Sequence, residues 1–310
     1  MKIVVTGATG FVGRPLCQQL LNEGHSITVL SRDAAKVKGA FGDKVTAAIW
    51  GKSGASEGLA ALENADAVIH LAGESVAGGR WTPEFKRKIR DSRVDTSRQL
   101  VDAIAKLSRR PSVLISASAV GFYGNRSDES ITEESAAGTG FLPDVCKEWE
   151  TEVNRACDLG VRVATMRIGV VLGKGGALDK ILYPLPVRIS PYKLGLGGQL
   201  GSGKQWLPWI HLDDVIGLFT WAMQNAQVAG AVNTTAPEPV RNAEFARALG
   251  RLFHRPAVIP VPAFALRLIL GEFAETVLNG QKVLPQVAEK QGYLFRFRTL
   301  DAALQSLLPL

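Results

Sequence analysis

The sequence predicts an α/β fold, a doubly wound parallel sheet followed by a smaller C-terminal lobe. Short apolar runs rich in Val and Ile alternate through the first half with segments of helical period, the pattern of a parallel sheet covered on both faces. A glycine-rich turn lies between the first of these runs and the first helical segment. From about residue 169 the texture changes to loops dense in Gly and Pro.

Lys2 to Thr6 reads as the first strand. Phe11 to Asn22 follows as a helix with Val12, Leu16, Leu20 and Leu21 on one face, ended by Gly24. The next runs, Ile27 to Leu30, Val45 to Trp50, Ala67 to Ala72, Val113 to Ser116 and Val161 to Ile168, have the four-to-eight-residue length and composition of doubly buried strands. Pro83 to Ser108 and Pro143 to Asp158 read as helices between them. The second lobe is placed at 169–310, with segments around 205–235 returning to the first domain, 1–168. Its glycine loops are Gly173-Lys174-Gly175-Gly176 and Leu194 to Gly203; its helices are Asp213 to Gln224, Asn242 to Phe253 and Ala263 to Leu278.

Composition excludes several classes. No apolar stretch reaches the roughly 18 residues that a membrane-spanning helix needs. The first residues run straight into a strand, so a cytoplasmic or organelle-interior location is expected. Cys17, Cys146 and Cys157 form no C-x-x-C pair and the histidines lack metal-ligand spacing, which argues against a disulfide scaffold or a metal site. The net charge of +7 comes from 36 Lys and Arg against 29 Asp and Glu. Its visibly basic stretch, Lys86 to Arg110, has little aromatic interleaving and reads as a solvated helix face rather than a nucleic-acid surface.

The strongest chemical signal is Thr6-Gly7-Ala8-Thr9-Gly10-Phe11-Val12-Gly13. Glycines spaced three apart allow a tight turn and close approach of backbone to a pyrophosphate, whose charge the first helical amides and the helix dipole would hold. Gly7, Thr9, Gly10, Phe11, Val12 and Gly13 are therefore candidate cofactor contacts in a Rossmann-type domain. The second strand ends in Ser31-Arg32-Asp33. An acidic side chain there accepts from the ribose 2′-hydroxyl of NAD, whereas a basic one pairs with the 2′-phosphate of NADP. Ser31 and Arg32 come first after the strand and favour NADP(H); Asp33 is the alternative.

Together with His70-Leu71-Ala72-Gly73, this loop resembles the extended short-chain dehydrogenase/reductase superfamily. Leu71-Ala72-Gly73-Glu74, Arg80-Trp81, Ser92-Arg93, Gly169-Val170-Val171-Leu172-Gly173, Leu194 to Gly198, Gly201-Ser202-Gly203, Trp209-Ile210-His211 and Asn242 to Ala246 narrow the resemblance to its atypical "epimerase family" branch. The resemblance runs through nearly the whole chain. It implies NADP held additionally by Leu71, Ala72, Gly73, Glu74, Arg93, Ser116 and Val170, and a small-molecule substrate bound between the lobes. Members often form homodimers through two helices, here Pro83 to Ser108 and Pro143 to Asp158.

In that superfamily a Tyr handles the proton of the reaction, and a Lys four residues on lowers its pKa. This sequence departs from the pattern: four residues before Lys147 stands Pro143, and if Cys146 takes the Lys place the partner is Leu142. Ser118, in Ser116-Ala117-Ser118-Ala119-Val120-Gly121-Phe122-Tyr123-Gly124, matches the serine that orients a substrate carbonyl. Tyr123 is the candidate substitute acid; its alternative is a wall aromatic with its hydroxyl satisfied, and Cys146 is the further candidate. The expected activity is that of an oxidoreductase or epimerase, with a catalytically silent NADP-binding protein as the competing class. Glu74, Trp81, Gln205, Trp206, Trp209 and His211 offer ligand contacts, while Trp209 to Asp214 also fits a strand entering a helix capped by Asp213.

Overall fold

The computed structural model describes residues 1–51, 55–183 and 190–308. The strands in chain order are β1 Lys2–Thr6, β2 Ser26–Ser31, β3 Thr46–Ile49, β4 Ala67–His70, β5 Val113–Ala119, β6 Ser130–Ile131, β7 Arg162–Ile168, β8 Val170–Leu172, β9 Trp206–Leu207, β10 Trp209–His211, β11 Gly230–Thr234, β12 Val240–Arg241 and β13 Lys282–Val283. The α-helices are α1 Gly13–Asn22, α2 Ala34–Phe41, α3 Ala55–Glu63, α4 Pro83–Ala105, α5 Phe141–Asn154, α6 Ala177–Leu182, α7 Leu212–Gln224, α8 Asn242–Leu252, α9 Ala263–Leu270, α10 Ala274–Leu278, α11 Gln286–Lys290 and α12 Leu300–Ser306.

Seven strands form one parallel sheet in the order β11-β7-β5-β4-β1-β2-β3. Its middle strands are buried almost throughout, and their apolar centres, such as Ile3-Val4-Val5, Val68-Ile69 and Val113-Leu114-Ile115, suit that place. Strand order reverses between β1 and β4, the switch point where open α/β sheets leave a crevice beyond the carboxyl ends of their strands. The main core joins Val5, Leu16, Ile69, Leu114 and Phe219. A separate cluster gathers Leu172, Trp209, Phe245, Leu249 and Leu304, and a small third one holds Val120, Tyr123, Ile131 and Val283.

Local chemistry sets the helix ends. Gly24, at φ +81°, closes α1 in a Schellman arrangement, with His25 N–H donating to the Leu20 carbonyl and Gly24 N–H to that of Leu21 (both 3.0 Å). Thr82 caps α4, accepting from Phe85 N–H, with Pro83 at the first turn. The single helix expected over Ala263 to Leu278 is instead two, α9 and α10, because Gly271 takes φ +61° and breaks the ladder. The cap of α7 is His211, not Asp213: its Nδ1 accepts from Asp213 N–H at 3.1 Å. Among the described residues, no helix is long and apolar enough to cross a membrane.

Candidate functional site

The glycine turn leaves β1 at the switch point and enters α1. Gly7 sits at φ +69°, and a Cβ on it would lie 2.6 Å from the Leu71 carbonyl carbon. A Cβ on Gly13 would lie 2.3 Å from the Gly7 carbonyl oxygen, so neither position accepts a side chain without moving backbone. Gly10 N–H donates to the Gly7 carbonyl at 3.0 Å and closes the turn. No side chain caps α1 and no acidic residue occupies its first turn, which leaves the positive end of its dipole uncompensated from within the helix. Thr9 and Val12 are half-buried beside the exposed Gly10. Phe11 packs outward onto the loop after β8, where a Cβ on Gly176 would lie 2.4 Å from its ring.

At the end of β2, Ser31 Oγ donates to the Asp33 carbonyl and accepts from Asp33 N–H, both at 3.1 Å. The Asp33 carboxylate caps α2, accepting from Lys36 N–H at 2.9 Å. Arg32 is exposed and, among the described residues, has no hydrogen bond or ion pair. One oxygen of the acidic alternative caps α2, and the basic side chain is unengaged among the described residues.

The β4 end lies against the turn through Leu71 and Ala72, both half-buried. Their amides donate to Thr6 Oγ1 at 3.2 and 3.3 Å. Beyond them Gly73 is exposed, and Glu74 donates its N–H to Ser92 Oγ at 3.0 Å while its carboxylate pairs with Lys88 at 3.1 Å. Arg93 reaches under this loop: it donates to the carbonyls of Glu74 (2.8 Å) and Ile89 (2.9 Å) and stacks over Trp149. Its guanidinium carbon lies 3.3 Å from where a Gly73 Cβ would be.

The β5 end is an interior polar network. Ser116 is fully buried and donates to the Ala117 carbonyl. Ser118, 2% exposed, donates to Glu150 Oε1 at 2.6 Å. Glu150 in turn holds Arg167 in a two-pronged pair, Nε at 2.9 Å and the second nitrogen at 2.8 Å. Arg167 stacks 3.5 Å from the Phe122 ring centroid and donates to the Tyr123 hydroxyl at 2.9 Å. Tyr123 is 0% exposed and donates to Asn233 Oδ1 at 2.6 Å. Burial pushes its pKa up to about 12. Both ends of the Tyr123 hydroxyl, the candidate acid, are engaged inside the protein. Cys146 is also internal, its thiol pushed up to about 12 by burial. Lys147 turns the other way and pairs with Asp144 at 2.7 Å. The face of α5 toward β5 carries Leu142, Cys146 and Glu150, with Leu142 and Cys146 Sγ packed about where a Gly121 side chain would begin.

Val170 extends from the sheet in β8, its N–H donating to the Pro208 carbonyl at 2.7 Å. Trp209 is fully buried with Nε1 donating to the Glu238 carbonyl, and buried His211 caps α7. Gln205 donates to the carbonyls of Leu200 and Val277, and Trp206 donates to Asp128 under a stacked Arg241. Trp81 is half-buried, edge-on to Phe141 and tilted against Phe273 (5.1 and 5.7 Å between centroids). Glu150, Arg167 and Asn233 escaped the sequence reading; a charged residue inside the apolar run Val161 to Ile168 was the available signal for Arg167.

A doubly wound sheet with a side-chain-intolerant glycine turn at its switch point defines a nucleotide-type α/β protein. The model of the NAD dependent epimerase/dehydratase family matches residues 3–234, and the chain belongs to that family. A domain of unknown function, DUF1731, matches residues 261–307. The chloroplastic homolog of epimerase family protein SDR39U1 from Arabidopsis thaliana is 41% identical over 310 residues, 99% of this chain and 87% of that protein. Epimerase family protein YfhF of Bacillus subtilis is 38% identical, covering 99% and 98%. Among solved structures, human epimerase family protein SDR39U1 (isoform 2) with NADPH superposes at TM-score 0.85 with 32% identity, covering 99% of both chains. UDP-glucuronic acid 4-epimerase from Bacillus cereus, at TM-score 0.75 and 17% identity, shares the fold.

Proposed function

We propose that this chain binds NADP(H) at the switch-point crevice, with the pyrophosphate on the Gly7 to Gly13 turn and the 2′-phosphate on Arg32 and Ser31. The observation that carries this reading is the arrangement after β2: Asp33 turns Oδ1 to the α2 cap, while Arg32 is exposed and has no partner among the described residues. The NADPH in the human relative supports it. Leu71, Ala72, Gly73, Glu74, Arg93 and Val170 border the same crevice; Ser116 supports it from the interior. When bound, the cofactor supplies or accepts hydride. The residues from about 169 onward form the lobe that faces it and, with Trp81, receives a small-molecule substrate.

The reaction is that of an oxidoreductase or epimerase working without the usual Tyr-x-x-x-Lys pair. Ser118 acts in this reading only by anchoring β5 through Glu150, since its hydroxyl is already committed. That internal commitment of Ser118, Tyr123 and Cys146 favours a second reading, a catalytically silent NADP-binding protein. Single-turnover oxidation of bound NADPH across a panel of carbonyl compounds separates the two. Absorbance loss with any member supports the enzyme; tight binding without loss for every member supports the silent protein.

A further inference from the structure

Behind the Leu71–Ala72 segment lies a chain of buried polar side chains that no catalytic reading uses. Ser97 of α4, His70 of β4 and Thr6 of β1 are 0, 1 and 4% exposed. Thr6 Oγ1 lies 2.7 Å from His70 Nδ1, and His70 Nε2 lies 3.0 Å from Ser97 Oγ. The Thr6 oxygen accepts the Ala72 amide at 3.3 Å and shares the Leu71 amide, at 3.2 Å, with the Thr6 backbone carbonyl. With amides directed at that oxygen, the arrangement favours the Thr6 hydroxyl donating to Nδ1 and the ring, protonated on Nε2, donating to Ser97. Burial without a charged neighbour holds His70 well below the usual range, at about 4, and so neutral.

We propose that His70 is a positioning residue for the cofactor: in its Nε2–H form it orients the Thr6 hydroxyl, which holds the Leu71 and Ala72 amides and thereby sets the backbone wall that faces Gly7. This rests on the NADP(H) reading. The wall and the turn are in direct contact, since a Gly7 Cβ would lie 2.9 Å from the Ala72 nitrogen. A shift of Leu71–Ala72 by a fraction of an ångström alters the surface offered to the dinucleotide. The relay also ties α4, which carries Arg93, to the first strand.

The test uses the full chain and its Thr6→Val, Thr6→Ser, His70→Leu and His70→Asn variants, checked for folding by thermal melting. Two quantities are read: NADPH affinity by fluorescence titration, and hydrogen exchange at the Leu71 and Ala72 amides without cofactor. Thr6→Val is near-isosteric and His70→Leu removes the acceptor; each should expose the Ala72 amide to exchange, leave the Leu71 amide on the Thr6 carbonyl, and weaken NADPH binding by about tenfold, the scale of one lost hydrogen bond. Thr6→Ser should restore both readouts, and His70→Asn, whose Oδ1 replaces Nδ1 as acceptor, should recover most of each. Unchanged NADPH affinity in folded Thr6→Val and His70→Leu, against a wild type that binds, overturns the proposal alone. Absence of NADPH binding by the wild type overturns the cofactor reading, and the positioning role falls with it.

Discussion

Arg167 and Glu150 decide what the β5 end can do. Both are almost fully buried, 5 and 7% exposed, and each leaves the other an unpaired interior charge if removed. Glu150→Ala should therefore cost about 3–5 kcal/mol in a denaturant titration, the range for breaking a buried pair. Tyr123→Phe is more discriminating. It strips partners from Arg167 and Asn233, so a loss of about 1–3 kcal/mol is expected, with NADPH affinity unchanged in fluorescence titration. A large loss of cofactor binding with stability intact would return Tyr123 to the cleft. Sequence could offer Ser118, to orient a carbonyl, and Tyr123, as a substitute acid, because their segment resembles the superfamily's. It could not show that a carboxylate one helix away, and an arginine one strand away, had already engaged them.

The glycine turn was legible in the sequence because its chemistry is local: strand, glycines at fixed spacing and helix are contiguous, and the structure places them so. Gly13→Ala should abolish NADPH binding, measured by isothermal titration, because the new methyl meets the Gly7 carbonyl and either the turn or α1 must shift. Undiminished affinity would mean that the turn carries no phosphate. Shorter elements were not legible. Two-residue strands such as β9 and β12 have no period to detect, and their pairing depends on residues more than thirty positions away. The α7 cap is His211 where the sequence suggests Asp213, because histidine lies outside the usual capping set although its Nδ1 can accept a backbone amide. The break between α9 and α10 lay in plain sight at Gly271, but a glycine within an apolar helical run is ambiguous until its φ is known.

At the scale of the molecule, acid stability records the buried His70. Its folded pKa, about 4, lies below the unfolded value of 6.5, so the unfolded chain takes up a proton first as the pH falls. The stability that neutral His70 permits is complete above about pH 6.5 and is lost progressively toward pH 4, by an amount on the order of 3 kcal/mol. His70→Asn should flatten the fall of melting temperature over that window; an unchanged slope would mean the histidine does not titrate with unfolding. The same whole-molecule view explains the ion pairs that join α4 to α5, Arg90 to Glu148 and Arg98 to Glu152: the basic stretch read from the sequence is a helix face compensated by its neighbour.

The central claim is that the crevice beside β1 takes NADP(H) and that Arg32 reads its phosphate. Parallel titration of the protein with NADPH and NADH, repeated on Arg32→Ala, tests it most directly. NADPH should win by roughly ten- to hundredfold, the worth of a charge-assisted contact, and the substitution should erase most of that margin. Equal binding of the two cofactors, or a preference for NADH that survives the substitution, would contradict it.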